Sequence, residues 1–224
     1  MTASFFSRLI LLYSLLCVAV KGKSAVTSSV SNINPDEASR RCEGISDPLL
    51  TILVLYHNEC SALRYQSTLW AKFSAELLDK LRFLVIDDNS QIPASRCVAD
   101  EAQELNLSVV RVDSRTKWNI GGGRNLGAYV SCSPFIFFLD IDTLAPFEVI
   151  RESILLLESS VKRDKHWFQF NRKFDATSNP VFTSNRRGVG VHPGVMLISR
   201  DLYWKAYGCD EDFVGTFSYF VSIL

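Results

Sequence analysis

The chain has 224 residues, of which 47% are hydrophobic, 12% aromatic and 21% charged, enough for one domain with a real core and short for two. Twenty-four Lys and Arg balance 24 Asp and Glu, so no global field exists to hold a polyanion and nucleic acid is not an expected partner. Seven Pro and 11 Gly exclude a collagen-like or low-complexity chain, and the abundance of Phe, Leu, Ile and Val excludes a disordered one.

Met1 to Ala25 reads as a targeting segment: Arg8 supplies positive charge, Leu9 to Val20 is a mostly apolar run, and the small residues Ala19, Gly22 and Ala25 follow. The run is short of the roughly 20 apolar residues that span a bilayer. A cleaved secretory leader is therefore the first reading, with an uncleaved signal anchor and membrane attachment as the alternative. Both place the body in the secretory pathway: the ER or Golgi lumen, or the exterior. Residues 26–48, polar and rich in Ser and Asn, read as a linker. Cys17 falls in the leader, leaving Cys42, Cys60, Cys97, Cys132 and Cys209 with no C-x-x-C pair. A zinc ribbon is thus not expected, and disulfides are permitted with their pairing open. Asn106-Leu107-Ser108 is an N-glycosylation sequon between a helical and a strand-like stretch.

From Leu50 the chain alternates apolar runs with amphipathic stretches. Leu50 to Tyr56 predicts a strand, Ala62 to Lys80 a helix with Leu69, Phe73 and Leu77 at helical spacing, and Arg82 to Ile86 a strand. Ala94 to Leu105 predicts a helix, Ser108 to Val112 a strand, and Gly122 to Cys132 a helix after a glycine run. Phe135 to Leu139 predicts a buried strand and Pro146 to Val161 a helix, with Pro at its tolerated first turn. Beyond Val161 the pattern loosens. His166 to Phe170 and Val195 to Ser199 are strand-like, around a basic segment with Arg172, Lys173, Arg186 and Arg187. Alternation of this kind predicts an α/β three-layer sandwich with a largely parallel central sheet. Residues 49–160 would form a ligand-binding half and 161–224 an incomplete second half.

In such sheets ligands bind beyond the carboxyl ends of the strands, where two of four candidate motifs sit, Asp87-Asp88 and Asp140 with Asp142. Asp140-Ile141-Asp142 closes the run Phe135 to Leu139 and offers paired carboxylates to a hard divalent cation. Asp87-Asp88-Asn89-Ser90 ends an earlier strand; such groups accept hydrogen bonds from ribose or base, although Asp, Asn and Ser also simply favour turns. Gly121-Gly122-Gly123-Arg124-Asn125-Leu126-Gly127 lets backbone N–H groups approach a phosphate that Arg124 can neutralise, yet it fails the dinucleotide fingerprint. Asp210-Glu211-Asp212-Phe213 includes candidate general bases.

In order and spacing these motifs, with Asn58-Glu59 at the end of the first strand, resemble the inverting, family-2-like glycosyltransferases of the GT-A fold, over about Leu50 to Gly215. The resemblance implies a nucleotide-sugar donor, a UDP-sugar in most members, a carbohydrate or glycoconjugate acceptor, and Mn²⁺ or Mg²⁺. It implies that Asp88 contacts the nucleoside, Asp142 the metal, Asp140 ribose or metal, and that Arg124 lies near the diphosphate. Asp212, with Glu211 as rival, would be the base. The chain departs from the pattern at Tyr56-His57, where Pro is common, and at its end. Related enzymes continue past the acidic motif, so a C-terminally truncated form is expected. Two other readings stand beside this one: a non-catalytic nucleotide-sugar-binding relic of the same fold, and a haloacid-dehalogenase-like phosphatase. The phosphatase reading suffers because its Asp-x-Asp strand normally opens the fold.

Overall fold

The computed structural model describes residues 14–18, 37, 40–113, 119–159, 163–174 and 188–209; Asp210, Glu211 and Asp212 lie outside the described residues. The described strands are β1 (Ser14–Val18), β2 (Leu50–Tyr56), β3 (Leu81–Asp88), β4 (Leu107–Asp113), β5 (Phe135–Asp140), β6 (Trp167–Phe174) and β7 (Gly188–Ser199). The helices are α1 (Cys60–Trp70), α2 (Ala75–Leu78), α3 (Ile120–Val130), α4 (Phe147–Ser159) and α5 (Arg200–Lys205). One sheet runs in the order β1-β4-β3-β2-β5-β7-β6. Its centre, β4-β3-β2-β5, is parallel as expected. β7 is antiparallel to β5, β6 to β7, and the short β1 to β4.

Continuous apolar strands demand cover on both faces, because successive side chains point opposite ways. Ile52, Val54 and Tyr56 of β2 pack in a cluster with Leu63 and Trp70 of α1 and Ile150, Ile154 and Leu157 of α4. Leu53 and Leu55 pack on the other face with Leu126 of α3 and Tyr203 and Trp204 of α5. These two clusters make the three-layer α/β sandwich. Trp70 stacks on Phe83 with ring centroids 4.7 Å apart, tying α1 to β3. α3 lies so close to the sheet that a Cβ at Gly127 would run into the Leu53 side chain. Only a hydrogen fits there.

Three predicted helices are corrected. The stretch Ala62 to Lys80 breaks into α1 and α2, because the chain turns at 71–74 to bury Phe73, which packs edge-on against Phe147 at 5.7 Å. Ala94 to Leu105 holds no α-helix, only the 3₁₀ turns Ala94–Arg96 and Asp100–Ala102. Between them Cys97 is disulfide-bonded to Cys60, and the Ala99 N–H donates to Ser67 Oγ at 2.9 Å. Both contacts hold the backbone to α1 and prevent a continuous helix. The glycine-run helix begins two residues before Gly122. Asn119 caps it, its Oδ1 accepting from the Gly122 N–H at 2.7 Å.

The end of the stretch read as a linker docks on the domain. Arg41 donates to the carbonyls of Tyr129 and Val130, Cys42 bonds Cys132, and Asp47 pairs with Arg82 at 2.6 Å. Cys209 stands outside both disulfides and faces the Tyr203 hydroxyl at 3.4 Å. No helix among the described residues is long and apolar enough to cross a membrane.

Candidate functional site

The chain steps from β2 to β3 to β4 on one side, then crosses to place β5 on the other side of β2. Such a reversal between β2 and β5 is a topological switch point, and the space beyond the carboxyl ends of the strands there is the usual ligand position in open α/β sheets. The ends of β3 and β5 that flank β2 carry Asp88 and Asp140.

On the β3 side, two left-handed residues turn the chain, Asn58 (φ 59°) and Asn89 (φ 48°), a conformation Asn tolerates better than most. The turns lock each other: the Asn58 N–H donates to Ser90 Oγ at 3.0 Å, and the Gln91 N–H to Asn58 Oδ1 at 2.7 Å. Asp87 is fully buried and accepts from the Ser90 and Ala94 N–H groups, both at 3.0 Å, and from Arg111 Nη1 at 2.9 Å. The two buried backbone N–H groups would each cost about 1–3 kcal/mol if left unpaired. Asp87 therefore builds the rim. Asp88 Oδ2 accepts from the Asn119 N–H at 2.9 Å. Burial pushes its carboxyl above the usual carboxylate range, with the Asn119 N–H acting against the rise.

On the β5 side, Asp140 to Thr143 form a tight turn, the Thr143 N–H donating to the Asp140 carbonyl at 3.0 Å. Arg124 Nη2 donates to Asp140 Oδ1 at 3.1 Å and to the Gly194 carbonyl at 3.0 Å. The first turns of α3 thus connect both acids, Asn119 touching Asp88 and Arg124 touching Asp140. Asp142 is exposed, with Thr143 Oγ1 at 3.4 Å as a weak neighbour. His192 of β7 completes the cluster: one ligand atom each from Asp140, Asp142 and His192 lie within 4.8 Å of one another.

A divalent cation fits this set. The paired carboxylates of Asp140 and Asp142 are the hard oxygen donors that suit Mg²⁺ or Mn²⁺, and His192 stands beside them. The backbone has been cleared for them as well, since a Cβ at Gly194 would fall onto the Asp140 carboxylate. Gln66 of α1 reaches under the same turn and donates from Nε2 to the carbonyls of Ile141 (2.7 Å) and Thr143 (3.2 Å).

Of the residues chosen from sequence, Asp140, Asp142 and Arg124 come together. Asp88 sits at the adjoining strand end, linked to them through α3. Arg124 is almost wholly buried, and its guanidinium lies against Asp140 and Gly194. Sequence reasoning passed over Gln66, His192 and Gly194, and gave Asn119 and Asn125, which lie in or beside the glycine-rich motif, no role of their own. Asn125 holds the far end of the described chain, donating to the Cys209 carbonyl at 2.9 Å and accepting from the Cys209 N–H at 2.9 Å and the Tyr203 hydroxyl at 2.6 Å. Gln66 had a signal. It occupies the buried stripe Leu63-Gln66-Ser67-Trp70 of an amphipathic helix, where an apolar residue is the norm.

Acids at a switch point, bridged by a glycine-rich helix, are what an open α/β sandwich presents to a ligand at its strand ends. The model of glycosyl transferase family 2 matches residues 51–163, half of the chain, and the chain belongs to that family. No curated protein matches it significantly. Among solved structures it is similar to TarS of S. aureus, residues 1–349, in complex with UDP: 14% identity, TM-score 0.54, 75% of this chain and 52% of that one. It is similar also to the mannosyltransferase PcManGT from Pyrobaculum calidifontis in complex with GDP-Man and Mn²⁺: 14% identity, TM-score 0.52, 80% of this chain and 56% of that one. At these identities the likeness is one of fold, which is GT-A. The chain spans about half the length of either neighbour.

Proposed function

We propose that the chain is an inverting, metal-assisted glycosyltransferase that moves a sugar from a UDP-sugar donor to a hydroxyl acceptor. The observation that carries this reading is the pair of acidic strand ends at the switch point, Asp88 beside β2 on one side and Asp140-Ile141-Asp142 on the other. Asp88 accepts hydrogen bonds from the nucleoside. Asp142, with Asp140 held in place by Arg124, would hold Mn²⁺ or Mg²⁺. The bound ion supplies positive charge that screens a diphosphate leaving group. The acceptor oxygen attacks the anomeric carbon while the carbon–oxygen bond to the diphosphate breaks on the opposite face, which inverts the centre. Asp212, or its rival Glu211, takes the acceptor hydroxyl proton.

The test is release of UDP from a panel of UDP-sugars with Mn²⁺ present, repeated with Asp212→Asn. We expect metal-dependent release by the parent, and by the variant retained UDP binding with turnover at least about 100-fold slower. UDP binding without turnover in the parent would instead favour the relic, and a parental rate in the variant would place the base elsewhere.

The compartment we propose is the secretory pathway. Its support is the apolar run near the N-terminus and the two disulfides, which persist in oxidising surroundings. Asn106 is exposed at the start of β4, the end of the sheet opposite the acids, so a glycan there leaves the crevice open. Expressed in a glycosylating host, the chain should lose mass on endoglycosidase treatment, and Asn106→Gln should abolish that shift. An unshifted parent would count against this compartment.

A further inference from the structure

His192 and Gln66 both converge on the turn that carries Asp142, and their hydrogen bonds separate two roles for the histidine. The Gly194 N–H donates to His192 Nδ1 at 3.0 Å, which makes Nδ1 the lone-pair nitrogen and leaves the proton on Nε2. Nε2 then donates to Thr143 Oγ1 at 2.7 Å, freeing the Thr143 hydroxyl proton to point to Asp142 Oδ1 at 3.4 Å. The contact from Nδ1 to Asp140 Oδ2 is 3.8 Å, too long for a hydrogen bond. Both ring nitrogens of this nearly buried side chain are thus directed at the protein. Beneath the turn, Gln66 Nε2 holds the two carbonyls on either side of Asp142, so the backbone there is fastened from α1 while the side chain is aimed from β7.

We propose that His192 is a positioning residue, orienting Asp142 through Thr143 rather than ligating the cation, and that Gln66 fixes the same turn from the opposite side. The exposed carboxylate is thereby held ready before the ion arrives. Outer partners of this kind tune metal affinity through the ligand they orient. The inference rests on the cation reading of Asp140 and Asp142.

Mn²⁺ affinity of the full chain in the presence of UDP, measured by electron paramagnetic resonance, tests it. Thr143→Val, His192→Gln and Gln66→Leu should each weaken Mn²⁺ binding by about tenfold or more. Thr143→Ser, which keeps the hydroxyl, should bind as the parent does. The double variant Thr143→Val/His192→Gln should be no worse than the more damaging single one, because both break one relay. The spin-echo spectrum of the parent should carry no nitrogen coupling from a directly bound imidazole. A nitrogen coupling that vanishes in His192→Gln, together with a silent Thr143→Val, would make His192 a ligand and overturn the proposal. Silent Gln66→Leu would remove Gln66 from it. A parent that binds UDP but no Mn²⁺ would overturn the cation reading and this inference together; a parent that binds neither would overturn the donor reading as well.

Discussion

Asp142→Asn should weaken Mn²⁺-dependent binding of UDP by at least about 100-fold while leaving the melting temperature of the chain unchanged. The two halves of that expectation come from the same geometry. Asp142 is exposed, and an amide of equal size keeps an Oδ1 that can accept from Thr143 Oγ1, so the substitution leaves the fold intact. Removing its charge takes away a hard anionic oxygen that faces the cation, and an amide oxygen is a poor replacement. Asp140→Asn makes the contrast. It too should weaken binding, but it also deprives the nearly buried Arg124 of its carboxylate, so its melting temperature should fall. Isothermal titration with UDP and Mn²⁺, beside thermal denaturation, reads both. Unchanged affinity in Asp142→Asn would defeat the assignment of the metal site.

How far the site is legible in the sequence depends on where each side chain gets its partners. The acids are legible because an apolar run ending in Asp is a strand ending at a rim, and the runs of β2, β3 and β5 are pure enough to read without tertiary information. The roles of Asp87 and Asp88 are not legible, since adjacent identical residues are told apart by partners such as Arg111 and Asn119, arriving from 24 and 31 positions away. β7 reads poorly in its first half because Pro193 and Gly194 argue against a strand, and those residues lie where Gly194 makes room for the Asp140 carboxylate. The helix expected over Ala94 to Leu105 fails for a similar reason: its composition favours a helix, but the Cys60–Cys97 bond and Ser67 decide the backbone. Local pattern sets the layers. Long-range hydrogen bonds set the chemistry.

Asp88→Asn should separate folding from binding in the opposite sense to Asp140→Asn, making the chain more stable at neutral pH and about 10- to 100-fold weaker for UDP, the loss expected when a hydrogen bond to a charged group is removed. Burial raises the Asp88 carboxyl above its ordinary value. Between that ordinary value, which holds in the unfolded chain, and the raised folded value, the native state keeps a proton the unfolded state has released. Stability of the parent from this group therefore falls as pH rises through that window and stays lower above it. An amide cannot ionise, so the variant escapes the loss while its oxygen can still accept from the Asn119 N–H. The two melting profiles should converge below about pH 4, where the carboxyl is protonated in both states of the parent, and diverge above it. UDP binding by the parent should weaken as pH falls through the raised Asp88 value, because a neutral carboxyl is the poorer acceptor for a nucleoside N–H. Thermal denaturation across pH, with UDP titrations at each point, checks both. A variant less stable than the parent at neutral pH would make Asp88 part of the frame, and one that binds UDP as tightly would put the nucleoside elsewhere in the crevice.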